Sequence, residues 1–81
     1  MRLDQWLSKV CLVKSRSQAK KGCQSGLVLL DGEAVKESHE LRPGEEITLT
    51  LPSKELLLKV LEIPGGNVAK RDADRYYELV S

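Results

Sequence analysis

Residues 13–36 read VKSRSQAKKGCQSGLVLLDGEAVK, which sets a capped helix, a glycine stop and a tight hairpin in immediate succession. Ser15 and Gln18 have the spacing of a capping box, in which the serine hydroxyl takes an orphan amide and the glutamine reaches back to the cap, so a helix starts near Arg16. Ser25-Gly26 ends it, because glycine enters the left-handed conformation without a Cβ penalty. Asp31-Gly32 then separates LVLL from EAVK, a strong short-range hairpin signal. Inside the helix, Ala19, Gly22 and Cys23 form a small-residue face suited to packing against a preceding helix, while Arg16 and Lys20 share another face and Lys21 and Gln24 point to solvent. Lys14, Arg16, Lys20 and Lys21 stand here with no acid among them. Cations in a first helical turn oppose the macrodipole and gain nothing locally, so their placement reads as a choice made for binding.

Upstream, Leu3, Trp6, Leu7 and Val10 recur at helical spacing and predict an amphipathic helix over roughly residues 2–12 that buries its tryptophan. Arg2, Gln5 and Lys9 fall on a strip beside the apolar face, and Asp4, Ser8 and Cys11 fall on the other side. Downstream, KESHELR is a polar connection closed by the turn Pro43-Gly44. EITLTL alternates strictly and predicts a half-buried strand with Ile47, Leu49 and Leu51 inward. ELLLKVLEI, bounded by Pro64-Gly65-Gly66, is a second strand. Ala69, Ala73, Tyr76 and Tyr77 have the spacing of a short terminal helix, and ELVS is placed as a returning strand. The expected fold is α+β: two N-terminal helices packed on a small antiparallel sheet, with a short C-terminal helix.

At 81 residues this is one small domain, and with aromatics at 4% its core must be built from Leu, Val, Ile and Ala. The net charge of +1 conceals a polarity: residues 1–36 carry a net +4 and residues 37–81 a net −3, an arrangement that steers a polyanion to one end. No apolar run is long enough for a membrane span and no signal peptide is legible, so the expected location is the cytoplasm, with Cys11 and Cys23 reduced and serving as packing residues. Nothing in the sequence calls for a metal or cofactor. His39 is the lone histidine and reads as solvated; a catalytic dyad with Cys23 would need an exposed, low-pKa thiol and a third orienting group. Trp6, Tyr76 and Tyr77 read as structural rather than as base-stacking residues.

The basic cluster is therefore the candidate site. Five cations lie in the thirteen residues from Lys9 to Lys21 and are drawn from both helices and their linker, so folding concentrates them. RNA is the favoured polyanion: a short helix pair suits backbone and shape recognition, and no long helix with base-reading polar residues is present for a DNA major groove. The competing reading is a protein-interaction adaptor using the acidic residues Glu40, Glu45 and Glu46; a Cys23-dependent enzyme is a third.

MRLDQWL, LVKSRSQAKKGCQSGLVLLDGEAVK and LRPGEEITL, in that order, resemble the RNA-binding module of the ribosomal protein S4 type, the αL motif, with its R-L-D, K-x-R-x-x-A, G-x-V, N/D-G and P-G-D/E elements. The resemblance covers residues 1–51 as the module and leaves 52–81 as a strand and helix extension of the same domain. By position it implies RNA contacts for Arg2, Lys14, Arg16 and Lys20 and structural turns at Gly26 and Gly32; Lys9, Lys21 and Lys36 join the candidate RNA-binding set on charge alone. Because the module stands nearly alone, the chain is similar to the small ribosome-associated heat shock and quality control proteins of that family. That implies a non-enzymatic cofactor, monomeric when free and not membrane-bound. It also implies binding to ribosomal RNA and peptidyl-tRNA on obstructed large ribosomal subunits, where the protein would assist a nascent-chain tailing factor.

Overall fold

The first helix, α1, spans Leu3–Lys9 and buries Leu3, Trp6 and Leu7 completely. The computed structural model describes residues 1–66 and 68–80. The helix is shorter than the predicted 2–12 because Cys11 takes a left-handed conformation, φ 63°. There the Cys11 N–H donates to Ser8 C=O at 3.1 Å and the Leu12 N–H to Leu7 C=O at 3.0 Å, the paired bonds of a Schellman stop. Cysteine is an unusual occupant of this position, where glycine avoids a Cβ penalty of about 1 kcal/mol. At the other end, the Leu3 and Asp4 amides donate to the carbonyls of His39 and Glu37 at 2.8 and 3.1 Å. The connection read as merely polar thus caps α1, and it sends Leu41, 3% exposed, into the core.

The second helix, α2, is Arg16–Gln24. Ser15 Oγ accepts from the Gln18 N–H at 3.2 Å, but Gln18 Oε1 accepts from the Lys14 N–H at 2.8 Å rather than from Ser15, so the capping box is shifted one residue into the linker. A second Schellman stop closes α2: Leu27 N–H donates to Gly22 C=O at 2.8 Å around Gly26, whose φ is 76°. Strands β1 (Val28–Leu30) and β2 (Glu33–Ala34) follow, joined by Asp31 at φ 50° and Gly32 at φ 82°. Two consecutive positive φ values make a type I′ turn, whose twist matches the hairpin.

Strands β3 (Glu46–Thr50), β4 (Glu55–Val60) and β5 (Tyr77–Leu79) complete one antiparallel sheet of order β2-β1-β3-β4-β5. In register, Leu30 faces Ile47, Ile47 faces Leu58, and Val60 faces Tyr77. The predicted short terminal helix is present as a 3-10 helix, Lys70–Tyr76, and Tyr77 already belongs to β5. The reason lies at its end, where Tyr76 C=O accepts from the Leu61 and Glu62 amides and draws the chain into the sheet. The returning strand predicted at ELVS therefore begins at Tyr77; Ser81 lies outside the described residues.

The helices cover one face of the sheet, where Val28, Ile47, Leu49, Leu58 and Val60 meet Leu3, Trp6, Leu7, Val10, Ala19 and Cys23. Trp6 ties early to late sequence. Its Nε1–H donates to Glu62 C=O at 3.1 Å, and its ring meets Tyr77 edge-on with centroids 6.4 Å apart.

Ala19 and Cys23 are buried as the small-residue face requires, but Gly22 packs on the sheet rather than on α1: a Cβ added there would stand 2.9 Å from Val28 Cγ2. Alanine would gain about 1 kcal/mol of helix propensity at this position, whereas overpacking costs typically about 1–3 kcal/mol. Val28 is 2% exposed, stiff at χ1 and held in β1, so it does not yield and the clash wins. Gly22→Ala is expected to lower stability by about 0.5–2 kcal/mol, read as a reduced urea midpoint at unchanged m-value; a raised midpoint would refute the close approach.

Candidate nucleic-acid interface

Asp4 organises the cationic face. Its carboxylate is only 6% exposed, accepts from the Gln5 N–H at 2.8 Å, and lies 3.3 Å from Arg2 Nε and 3.5 Å from an Arg16 guanidinium nitrogen. A buried carboxylate needs such partners, since desolvation without them is costly. Arg2 and Arg16 are about half exposed, at 47% and 50%, so these bonds contribute modestly to stability and leave part of each guanidinium facing water. The sequence placed Asp4 on the side of α1 away from Arg2. That expectation fails because Arg2 is the N-cap, with extended backbone at φ −67° and ψ 148°, and is not on the helical wheel at all.

The other predicted cations divide. Lys20 and Lys21 are exposed on α2, with Lys20 one turn beyond Arg16. Lys14 is exposed in the linker, and its backbone is held by Gln18. Lys9 is half-buried in the last turn of α1, where its charge complements the macrodipole. Lys36 is exposed beyond β2 and lines a separate cleft with Cys23, Gln24, Val35 and Glu37, apart from the Lys14 groove. Gly26 and Gly32 are the structural turns already described. A further cation, Lys70 from the 3-10 helix, lines a groove of about 440 Å³ together with Ser8, Leu12, Val13, Lys14 and Gln18. No local sequence signal connects it to Lys14.

The acidic residues proposed for an adaptor surface are partly used within the chain. Glu40 pairs with the N-terminal ammonium at 2.8 Å, which holds its carboxyl below the usual carboxylate range. Glu45 meets His39 Nε2 at 3.0 Å, so His39 is paired rather than simply solvated, and Glu45 also accepts from the Arg42 N–H at 2.6 Å.

The two cysteines differ. Cys11 is exposed, contrary to its expected packing role, because it sits at the left-handed stop of α1. Cys23 is buried, and burial, aided by the charges of Glu37 and Asp4, pushes its thiol up to about 11. That is the reverse of an activated nucleophile. A thiol that ionises later in the folded state than its ordinary 9.0 favours folding fully below that value, and the advantage is lost as pH rises from about 9 towards about 11. Stability should fall across that interval, and Cys23→Ala should remove this part of the slope. In the native protein near pH 8, a disulfide reagent should titrate Cys11 quickly and Cys23 only on unfolding. Two fast thiols would contradict the buried placement.

Residues 1–47 match the S4 domain. The chain is 33% identical over 81 residues to the RQC P-site tRNA stabilizing factor of Streptococcus pneumoniae, covering all of this chain and 91% of that protein. It is 35% identical over 77 residues to the uncharacterized RNA pseudouridine synthase YlyB of Bacillus subtilis, but there it spans 95% of this chain and only 23% of the enzyme. Among solved structures it superposes on the trimeric heat shock protein 15 of Vibrio cholerae with a TM-score of 0.93 at 27% identity, over 100% of this chain and 82% of the other. The chain belongs to the S4 domain family of RNA-binding proteins, in the group of small proteins that includes the RQC P-site tRNA stabilizing factors.

Proposed function

We propose that this protein is a non-enzymatic RNA-binding factor of the cytoplasm. It binds the large ribosomal subunit through ribosomal RNA and the tRNA moiety of peptidyl-tRNA on subunits left obstructed by a stalled chain. In that position it steadies the tRNA while a nascent-chain tailing factor acts. The observation that carries the reading is the likeness along the whole chain to a P-site tRNA stabilizing factor, in contrast to the synthase, of which this chain matches only a small part. The cationic face supports it. Arg2 and Arg16 are held by one carboxylate, and Lys14, Arg16 and Lys20 follow one another through the linker and α2. These residues, with Lys9, Lys21 and Lys36 at its margins, are the phosphate contacts we assign, and the free chain is taken as monomeric.

Co-sedimentation tests the reading. The protein should pellet with purified large subunits carrying peptidyl-tRNA and much less with empty ones. Equal recovery with both would remove the tRNA from the proposal, and recovery with neither would end it.

A further inference from the structure

We infer that the groove between the α1–α2 linker and the C-terminal 3-10 helix is an RNA subsite, seating one nucleotide whose phosphate is shared by Lys14 and Lys70. The inference rests on the ribosomal reading above and extends it to a segment outside the S4 match, which ends at residue 47.

Three observations converge on the groove. Its volume of about 440 Å³ falls within the roughly 300–1,000 Å³ of small-ligand sites. Its lining is mixed in the way a nucleotide requires: Leu12 and Val13 offer apolar surface to a sugar or base face, Ser8 and Gln18 offer hydrogen bonds, and Lys14 and Lys70 supply charge. Gln18 Oε1 is occupied by the Lys14 N–H, which leaves the side-chain amide hydrogens to donate to a ligand. Among the described residues, neither lysine ammonium is in an ion pair.

The 3-10 geometry explains why Lys70 serves here while the nearby acids do not interfere. At three residues per turn, Lys70, Ala73 and Tyr76 form one row, and Ala73 is buried, so this row lies against the body of the domain. Asp72 and Asp74 fall on the other two rows and do not line the groove. The polarity of the chain, net −3 over residues 37–81, therefore conceals a cation returned to the basic end by the fold.

The test compares wild type, Lys70→Ala and Lys54→Ala for binding to large subunits carrying peptidyl-tRNA across a salt series. Lys70 and Lys54 are both exposed, so neither change should disturb folding. Because Lys14 still faces the shared phosphate, losing Lys70 should reduce the slope of log affinity against log salt by less than the roughly 0.7–0.9 of a whole contact and weaken binding about 2–5-fold at 0.1 M salt, with Lys54→Ala unchanged. Cys11 also lines the groove and is exposed, so bound subunits should slow its alkylation by N-ethylmaleimide. If wild type binds but Lys70→Ala matches it in affinity and slope, the subsite is overturned while the ribosomal function stands. If wild type does not bind at all, the function fails and takes the subsite with it.

Discussion

Replacing Trp6 by alanine is expected to cost about 3–5 kcal/mol for the lost ring and its cavity, with about 1 kcal/mol more for the abandoned hydrogen bond. Trp6 is fully buried, its indole N–H is the partner of the Glu62 carbonyl, and its ring is the surface on which Tyr77 rests. A domain of this length has about 4–12 kcal/mol of stability in total, so the variant should lose a third or more of it and, towards the lower end of that range, be unfolded or near its midpoint at room temperature. The loss has a direction as well as a size. Glu62 and Tyr77 lie in the segment that follows the matched S4 module, so the C-terminal strand and 3-10 helix should release first, seen as early loss of protection at the Leu61 and Val80 amides, which donate to Tyr76 C=O and Leu57 C=O across that seam. Trp6→Phe keeps most of the ring and loses only the donor; it should cost roughly 1–2 kcal/mol and keep the fold. Urea unfolding of the three proteins decides the matter. If the alanine variant loses less than the phenylalanine one, the keystone role assigned to Trp6 is wrong.

Much of this architecture was written in local chemistry that a sequence displays. Ser15, Gly26 and Asp31-Gly32 work within a few residues of themselves, and each sits where its backbone preference places it. The strict alternation of Ile47 and Leu49 was equally legible, because one buried sheet face admits only one phase. What escaped depended on tertiary partners. The stop of α1 at Cys11 is held by backbone bonds that no glycine advertises, and the 3-10 helix is shaped by the bonds Tyr76 makes to Leu61 and Glu62. The same division runs through the site. Its cations were visible as a run, whereas the carboxylate joining Arg2 to Arg16, and the groove that Lys14 and Lys70 both line, exist only after the chain has folded.

That joining carboxylate bears on the largest functional effect expected. In the combined change Arg16→Ala and Lys20→Ala, two exposed cations leave the same face of α2, and the structural cost should be small. Asp4 keeps Arg2 and the Gln5 amide, and alanine is a better helix former than either residue it replaces. Thermal unfolding should therefore stay within a few degrees of wild type. Binding should not. If four to six phosphates are neutralised in the wild-type complex, log affinity for large subunits falls with log salt at a slope of roughly −3 to −4, and removing two contacts should bring it to about −2. At 0.1 M salt this corresponds to a loss of about 10–100-fold, larger than Lys70→Ala alone because two charges are removed from the centre of the face rather than one from its margin. Retained affinity with an unchanged slope would mean that α2 does not face RNA, and a binding surface would have to be sought elsewhere on the domain. Lost affinity with an unchanged slope would point to altered shape at Asp4 rather than lost phosphate contacts, and the circular dichroism melt of the same variant would separate that case from partial unfolding.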